Sequence, residues 1–411
     1  MKIGLFGNTN NSMFAMAEAF QSLGHKVVLI VTSKELLNRP EAREPEFRSD
    51  YPHWVMDASD LEELDYFLLS PNLNPVLHRL ACCDALVLNY VGPSLRPILD
   101  RPAIAFLTGS DLDYYANPSM VEARTAGWGK DYKESPDGQE HIRMLTKFIH
   151  RQRLGIQNAV AVRYFTRGSV PFGDRLLDEL GVGQDRRFFR AAVDARVKPA
   201  PAPRNWPIRV FCATRLTWKL PIEPGRSSLD YKGSDIMIRG LGLFHRAFGT
   251  RLDIQLVRKG LHVEELKALI VEEGLADQVS WSDEMPLSEV WARMAESDII
   301  IEQLSDSAIG GAGLDAMATG RPVIGNARSE MSEEEFGDAA PICQAKTPEE
   351  VSAQMRRLVF DPEERKRVGN AGRRYTEAHC NISQIAQMCV RYFEDSLSTK
   401  PPRVPVSFTS G

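Results

Sequence analysis

Short, almost wholly apolar runs recur along this chain, most of them followed by a segment with apolar residues at helical spacing. Runs of that kind are strands buried on both faces, the condition of a parallel sheet covered by helices. Residues 2–6, 27–31, 85–88, 103–107 and 159–162 read as such strands. Between the first two, Gly7-Asn8-Thr9-Asn10-Asn11 reads as a loop of helix-capping residues, 12–23 as a helix and Gly24 as its stop. The stretch Arg196-Val197-Lys198-Pro199-Ala200-Pro201-Ala202-Pro203-Arg204 is a linker that its prolines keep extended. The rhythm then restarts. Strands at 208–213, 252–257, 279–281, 298–301 and 322–324 alternate with helices over about 234–248, 263–273, 287–296 and 314–319. Three further helices, near 348–360, 362–378 and 383–396, precede a polar, proline-rich tail.

The expectation is an α/β protein with two doubly wound, Rossmann-like domains facing a cleft. The first domain takes residues 1–195, the linker 196–207, the second domain 208–380, and a C-terminal helix with a loose tail 381–411. At ~150 residues per domain, 411 residues suffice. In open parallel sheets ligands bind beyond the carboxyl ends of the strands, so a cleft between two such sheets can hold two substrates.

Charge narrows the partners. Lys plus Arg number 50 and Asp plus Glu 55, a net −5 that gives no global attraction to nucleic acid or to an anionic membrane. Cys82, Cys83, Cys212, Cys343, Cys380 and Cys389 lack metal-binding spacing and read as isolated thiols of a reducing compartment. The apolar stretch after Met1 is shorter than the about 7–15 residues of a secretory core. No run approaches the ~18 residues of a spanning helix. A cytoplasmic protein that is peripheral to membranes at most is expected. Residues 141–156 place His141, Arg143, Lys147, His150, Arg151 and Arg153 along one helix. That face reads either as a solvated surface or as a contact for a lipid-linked or anionic acceptor at a membrane.

The most informative segment runs from Ile301 to Ile324: a strand, a polar loop, the cluster Gly310-Gly311-Ala312-Gly313 opening a helix, and Gly320-Arg321-Pro322 leading into the next strand. Glycines at a helix start let backbone N–H groups approach a ligand, and the helix N-terminus favours an anion. Asp315, in the first turns, can either accept hydrogen bonds from two ribose hydroxyls or merely suit the helix dipole.

Asp315-Ala316-Met317-Ala318-Thr319-Gly320-Arg321-Pro322-Val323-Ile324 resembles the E-A-M-A-x-G-x-P-V-I segment of the family 4 retaining glycosyltransferases of the GT-B fold. Lys232-Gly233-Ser234-Asp235 is similar to that family's K-G-x-D, Ala213-Thr214-Arg215-Leu216 to its G-R-L, and Asp298 to Ile301 to the strand before its donor loop. In the first half, Gly109-Ser110-Asp111-Leu112 is similar to H-G-S-D-L, and Gly7 lies in the expected loop after the first strand.

The resemblance implies a nucleotide-sugar donor as co-substrate, with no cofactor and no obligatory metal. The acceptor would be a carbohydrate, a lipid-linked molecule or a small molecule, and not nucleic acid. It also implies roles. Arg215 and Lys232, with Lys219 as a second candidate and Gly7 across the cleft, would hold the diphosphate; Asp315 would hold the ribose. Glu302, Gly310 and Gly311 would form the donor loop. Catalytic positions fall at Ser307, where the family has Glu, at the neighbouring Asp306, and at Asp111 in the cleft loop. Thr108 replaces the family's histidine. Two other readings stay open: another GT-B reaction, such as a nucleotide-sugar epimerase or an inverting transferase, and a non-catalytic protein that binds nucleotide-sugar or a partner protein, which Ser307 and Thr108 support.

Overall fold

A computed structural model describes residues 1–48, 50–189, 192–194, 196–203, 206–219, 231–305 and 309–398. Among these, the first sheet is wholly parallel: β1 (Lys2–Phe6), β2 (Lys26–Val31), β3 (Val55–Asp57), β4 (Ala85–Leu88), β5 (Ala103–Phe106), β6 (Ala161–Arg163) and β7 (Arg187–Phe188), in the order β3-β2-β1-β4-β5-β6-β7. The second comprises β8 (Ile208–Cys212), β9 (Leu252–Val257), β10 (Val279–Ser282), β11 (Ile299–Ile301), β12 (Val323–Gly325) and β13 (Cys343–Gln344), in the order β10-β9-β8-β11-β12-β13. In both, the winding reverses beside the first strand, between β1 and β4 and between β8 and β11. These are the topological switch points where α/β proteins bind ligands.

Side chains alternate between two covered faces. Ile3, Leu5, Leu29 and Val87 pack on one side of the first sheet, and Phe6, Val28, Ile30 and Leu88 on the other. This explains the unbroken apolar runs. The helices used below are α1 (Ser12–Ser22), α2 (Pro136–Gln157), α3 (Ser234–Phe248), α4 (Leu287–Glu296), α5 (Gly311–Ala318), α6 (Pro348–Phe360), α7 (Pro362–His379) and α8 (Ile382–Ser398). Helix α5 starts three residues before the expected 314, because its glycines belong to the helix itself.

Two features differ from the sequence reading. Residues 381–411 are set apart there, but α8 packs on the first domain. Its Ile382, Ile385, Ala386, Cys389 and Phe393 are buried in one cluster with Met13, Phe14, Ala17 and Phe20 of α1. The proline stretch is no free spacer either. Val197 is buried among second-domain side chains, and Arg321 donates to the carbonyls of Pro201 (2.6 Å) and Ala200 (3.3 Å). The chain thus crosses between domains twice, and the crossings touch: Val193 N–H donates to Cys380 O at 3.0 Å.

Phe393 is wholly buried, whereas Leu68 is 57% exposed. Phe393→Ala is expected to cost about 3–5 kcal/mol in denaturant unfolding of the first domain, and Leu68→Ala less than about 0.5 kcal/mol. Equal small effects would mean that α8 does not complete that core.

Candidate active site

Three loops at the carboxyl ends of β8, β9 and β11 converge in the second domain. Leu216 N–H donates to Lys259 O (2.6 Å), Lys232 N–H to Thr217 O (2.7 Å) and Leu304 N–H to Lys232 O (2.9 Å). The sequence fits this weave at two glycines. Gly233 has φ +67 just before α3, and Gly260 has φ +121 with backbone atoms of Leu216 where a Cβ would lie. The structure therefore brings Lys232 to the donor loop, where its Nζ donates to Gln303 Oε1 at 2.7 Å. Arg215 is exposed on the β8 loop. Lys219 is turned aside, its ammonium paired with Glu265 at 2.8 Å and lying over the Trp218 ring.

Glu302 and Asp315 occupy the floor. The Glu302 carboxyl is buried and takes N–H groups from Gln303 and Gly310. Burial pushes its pKa up to about 7 while nearby Lys232 pulls the other way. A Cβ on Gly310 would lie 2.3 Å from Glu302 Oε1, so only glycine lets the start of α5 settle on that carboxyl. Gly311 next to it is open. Asp315 is partly buried and accepts a hydrogen bond from Trp291 Nε1 at 2.8 Å. Burial pushes its pKa up to about 7, opposed by the Trp291 bond and by Arg43 of the first domain.

Across the cleft, Gly7 ends β1 with φ +78 and backs onto Asn89. Asn89 ties three loops together. Its Oδ1 accepts from Thr9 N–H (3.0 Å), and its Nδ2 donates to Phe106 O (2.9 Å) and to Asp111 (3.1 Å). Asp111 is not offered to the cleft. It is fully buried and accepts from the N–H groups of Thr108 (2.8 and 2.9 Å) and Gly109 (2.9 Å). A carboxylate so engaged fixes its loop, which corrects the catalytic reading of this residue. Burial raises its pKa despite those bonds.

Asp306 and Ser307 lie outside the described residues, as do 220–230 of the loop before Lys232. On α2, Arg151 donates to Tyr66 O (2.8 Å) and Phe67 O (3.0 Å), and Arg153 to Ala116 O (3.1 Å). Half of that basic row is thus built into the domain or, like Arg143 with Glu140 (2.6 Å), paired on the surface. Among the described residues no helix is long and apolar enough to cross a membrane, and no group of three or more His, Cys, Asp or Glu could hold a metal ion.

Residues 227–375 match the family model for glycosyl transferases group 1, which covers most of the second domain and less than half of the chain. The fold is GT-B. Anabaena HepE in complex with UDP-glucose is similar over 97% of this chain and 100% of its own, with TM-score 0.65 and 14% identity. WaaG, a glycosyltransferase involved in lipopolysaccharide biosynthesis, is similar over 94% of this chain and 99% of its own (TM-score 0.57, 13% identity). A UDP-N-acetylglucosamine 2-epimerase is similar over 100% and 99% (TM-score 0.54, 13% identity). No curated protein sequence matches the chain.

In this GT-B cleft, the start of α5, Lys232 and exposed Arg215 suit an anion, and Asp315 suits a hydroxyl donor. Sequence reasoning missed Trp291, Asn89 and Arg43, which have no local signature.

The Glu302 pKa, raised from 4.5 to about 7, makes a stability prediction. The folded state keeps a proton that the unfolded chain releases, so this group's contribution is full below 4.5 and is lost as pH rises through about 7. Glu302→Gln removes that loss. Relative to wild type, the variant should gain on the order of 2–3 kcal/mol between about pH 5 and about pH 8.5, read by denaturant titration. A constant difference would place the carboxyl in water.

Proposed function

We propose that the protein is a glycosyltransferase that moves a hexose-type sugar from a nucleotide-diphosphate sugar to an acceptor, with retention of anomeric configuration. The observation that carries the reading is the convergence of Lys232, the glycine-led start of α5 and Asp315 within one set of loops at the carboxyl ends of the second sheet. The glycosyl transferases group 1 match over those residues supports it, as does the likeness to an enzyme fold that in HepE holds UDP-glucose.

Transfer leaves a nucleoside diphosphate, so negative charge grows on the departing phosphate. Cations and helix-end N–H groups fixed beside it stabilise the transition state more than the ground state. Lys232, whose ammonium donates to the Gln303 amide, brings a cation to that place, and Arg215 offers a planar fork from the facing loop. Asp315 takes the ribose hydroxyls. The acceptor docks on the first domain, against the loops knitted by Asn89 and Asp111. The departing phosphate helps remove the acceptor's proton, with no cofactor and no obligatory metal. Closure excludes water, which would otherwise hydrolyse the donor. The protein works in the cytoplasm, and the exposed part of α2 is the side that meets a membrane-borne acceptor if there is one.

A second reading, nucleotide-sugar epimerisation, draws on the likeness to the epimerase. Product analysis separates the two: an isomer of the donor formed without acceptor supports epimerisation, a glycosylated acceptor the transferase. Arg215→Ala and Lys232→Ala should each lower kcat/KM by the equivalent of about 2–4 kcal/mol. Unchanged turnover in both would remove them from the site.

A further inference from the structure

Residues 33–47, which follow β2 in the first domain, form a strap that reaches the second domain's site at two points. Lys259, at the end of β9, pairs with Glu35 of the strap (3.2 Å) as well as with Glu284 (2.8 Å). Further on, the Arg43 guanidinium lies 5.8 Å from the centre of the Trp291 ring, whose Nε1 donates to Asp315. The strap is braced within its own domain. Asn8 and Asn11 donate to the carbonyls of Asn38 (3.0 Å) and Leu37 (3.2 Å). Arg39 holds Glu41 (3.0 Å), Asp57 (2.7 Å) and the Tyr51 hydroxyl (2.6 Å).

Arg43 is an unusual residue to find there. Its side chain is 7% exposed and ion-paired with Asp194, itself 4% exposed on the chain crossing between domains. Its Nε is buried without a hydrogen-bond partner. A buried guanidinium is costly unless its charge is used. The pair with Asp194 uses part of it; the rest is felt by Asp315, towards which Arg43 acts as the opposing cation. The other charged groups around Arg43 are Glu18 of α1 and Arg196, the latter bound to Glu18 (2.5 Å) and Glu44 (2.8 Å). Facing Asp315 are Trp291 and Arg43, with Asp194 a weaker influence of opposite sign.

We propose that Arg43 is a positioning residue for Asp315. Brought in by the first domain, held by Asp194 and laid on Trp291, it favours the ionised Asp315 carboxylate and keeps it oriented to accept hydrogen bonds from the donor's ribose. The inference rests on the donor reading above and adds to it the domain that supplies the control. An ionised carboxylate accepts two hydroxyls, whereas a protonated one loses part of that capacity. Burial drives Asp315 towards the protonated form; the Trp291 bond and, after it, the Arg43 guanidinium oppose that, so the carboxyl titrates at about 7 and a change in either moves its state near neutral pH. Nucleotide affinity is then set in part by how the first domain sits against the second.

Calorimetric titration of the full chain with UDP-glucose, ADP-glucose and GDP-mannose between about pH 6 and about pH 8.5 tests this, since their phosphates do not titrate in that range. Wild-type affinity for the preferred donor should fall roughly tenfold towards the acid end as Asp315 takes up its proton. Arg43→Gln should weaken binding about fivefold near pH 7 and recover most of it at about pH 8.5, a shift of roughly one unit in the profile. Arg43→Lys should restore the wild-type profile, and Asp315→Asn should bind weakly with no pH dependence. Because Arg43→Gln leaves Asp194 buried and unpaired, the double variant Arg43→Gln/Asp194→Asn is measured beside it and should show the same displaced profile. Arg43→Gln or the double variant with the wild-type profile, or weakened equally at every pH, overturns the proposal. Failure of the wild type to bind any of the three donors overturns the donor reading itself, and the inference with it.

Discussion

The constraint on which the rest depends is that both sheets are parallel and therefore buried on both faces. Each must be covered twice, and the first domain cannot cover itself with its own segment of chain. The cluster under α1 closes only when α8 returns from beyond the second domain to add Ile385, Cys389 and Phe393. That return fixes the architecture. Two crossings are needed, and they run side by side where Val193 meets Cys380. A single proline linker would let the domains drift; two paired crossings restrict them to opening and closing about one edge.

Three acids near the cleft, Asp111 and Glu302 buried and Asp315 partly so, all have their pKa raised by burial but are held by different partners. Asp111 accepts from Thr108, Gly109 and Asn89, and its role ends in holding its loop. Glu302 has two backbone donors and a lysine nearby, yet burial dominates and its pKa rises to about 7. Asp315 has one indole N–H and a cation from the opposite domain, with the same result. Acids poised near neutrality in a cleft mark functional positions more often than acids that are fully satisfied.

This sorts what could be read from residues alone. The strands of both cores were legible because burial on two faces leaves an apolar run with no alternation, as in Val28-Leu29-Ile30 or Ile299-Ile300-Ile301. β7 and β13, two residues each, and β3, which buries only Val55 of its three, were not, since so few apolar residues carry no pattern. Lys232-Gly233 was legible because the backbone before α3 needs a left-handed residue, which leaves glycine in the sequence. Asp111 misled for a physical reason: Gly-Ser-Asp specifies a tight loop, and nothing in it says whether the carboxylate turns in or out. The docking of the proline stretch was hidden because Arg321 reads main-chain carbonyls, which any residue could offer. Arg43, Trp291 and Asp315 lie far apart in sequence and meet only when two domains face each other.

The cations of the cleft follow a related logic. Lys259 is opposed by two carboxylates, Glu35 and Glu284, and so joins the domains as a neutralised pin. Lys232 donates to the neutral amide of Gln303, and Glu302, an acid that feels its charge, is close to its own midpoint at neutral pH. Each proton that Glu302 retains leaves that acid compensating less of the Lys232 charge. Gly310, the residue that allows α5 to press down on Glu302 and bury it, is where sequence, packing and chemistry meet.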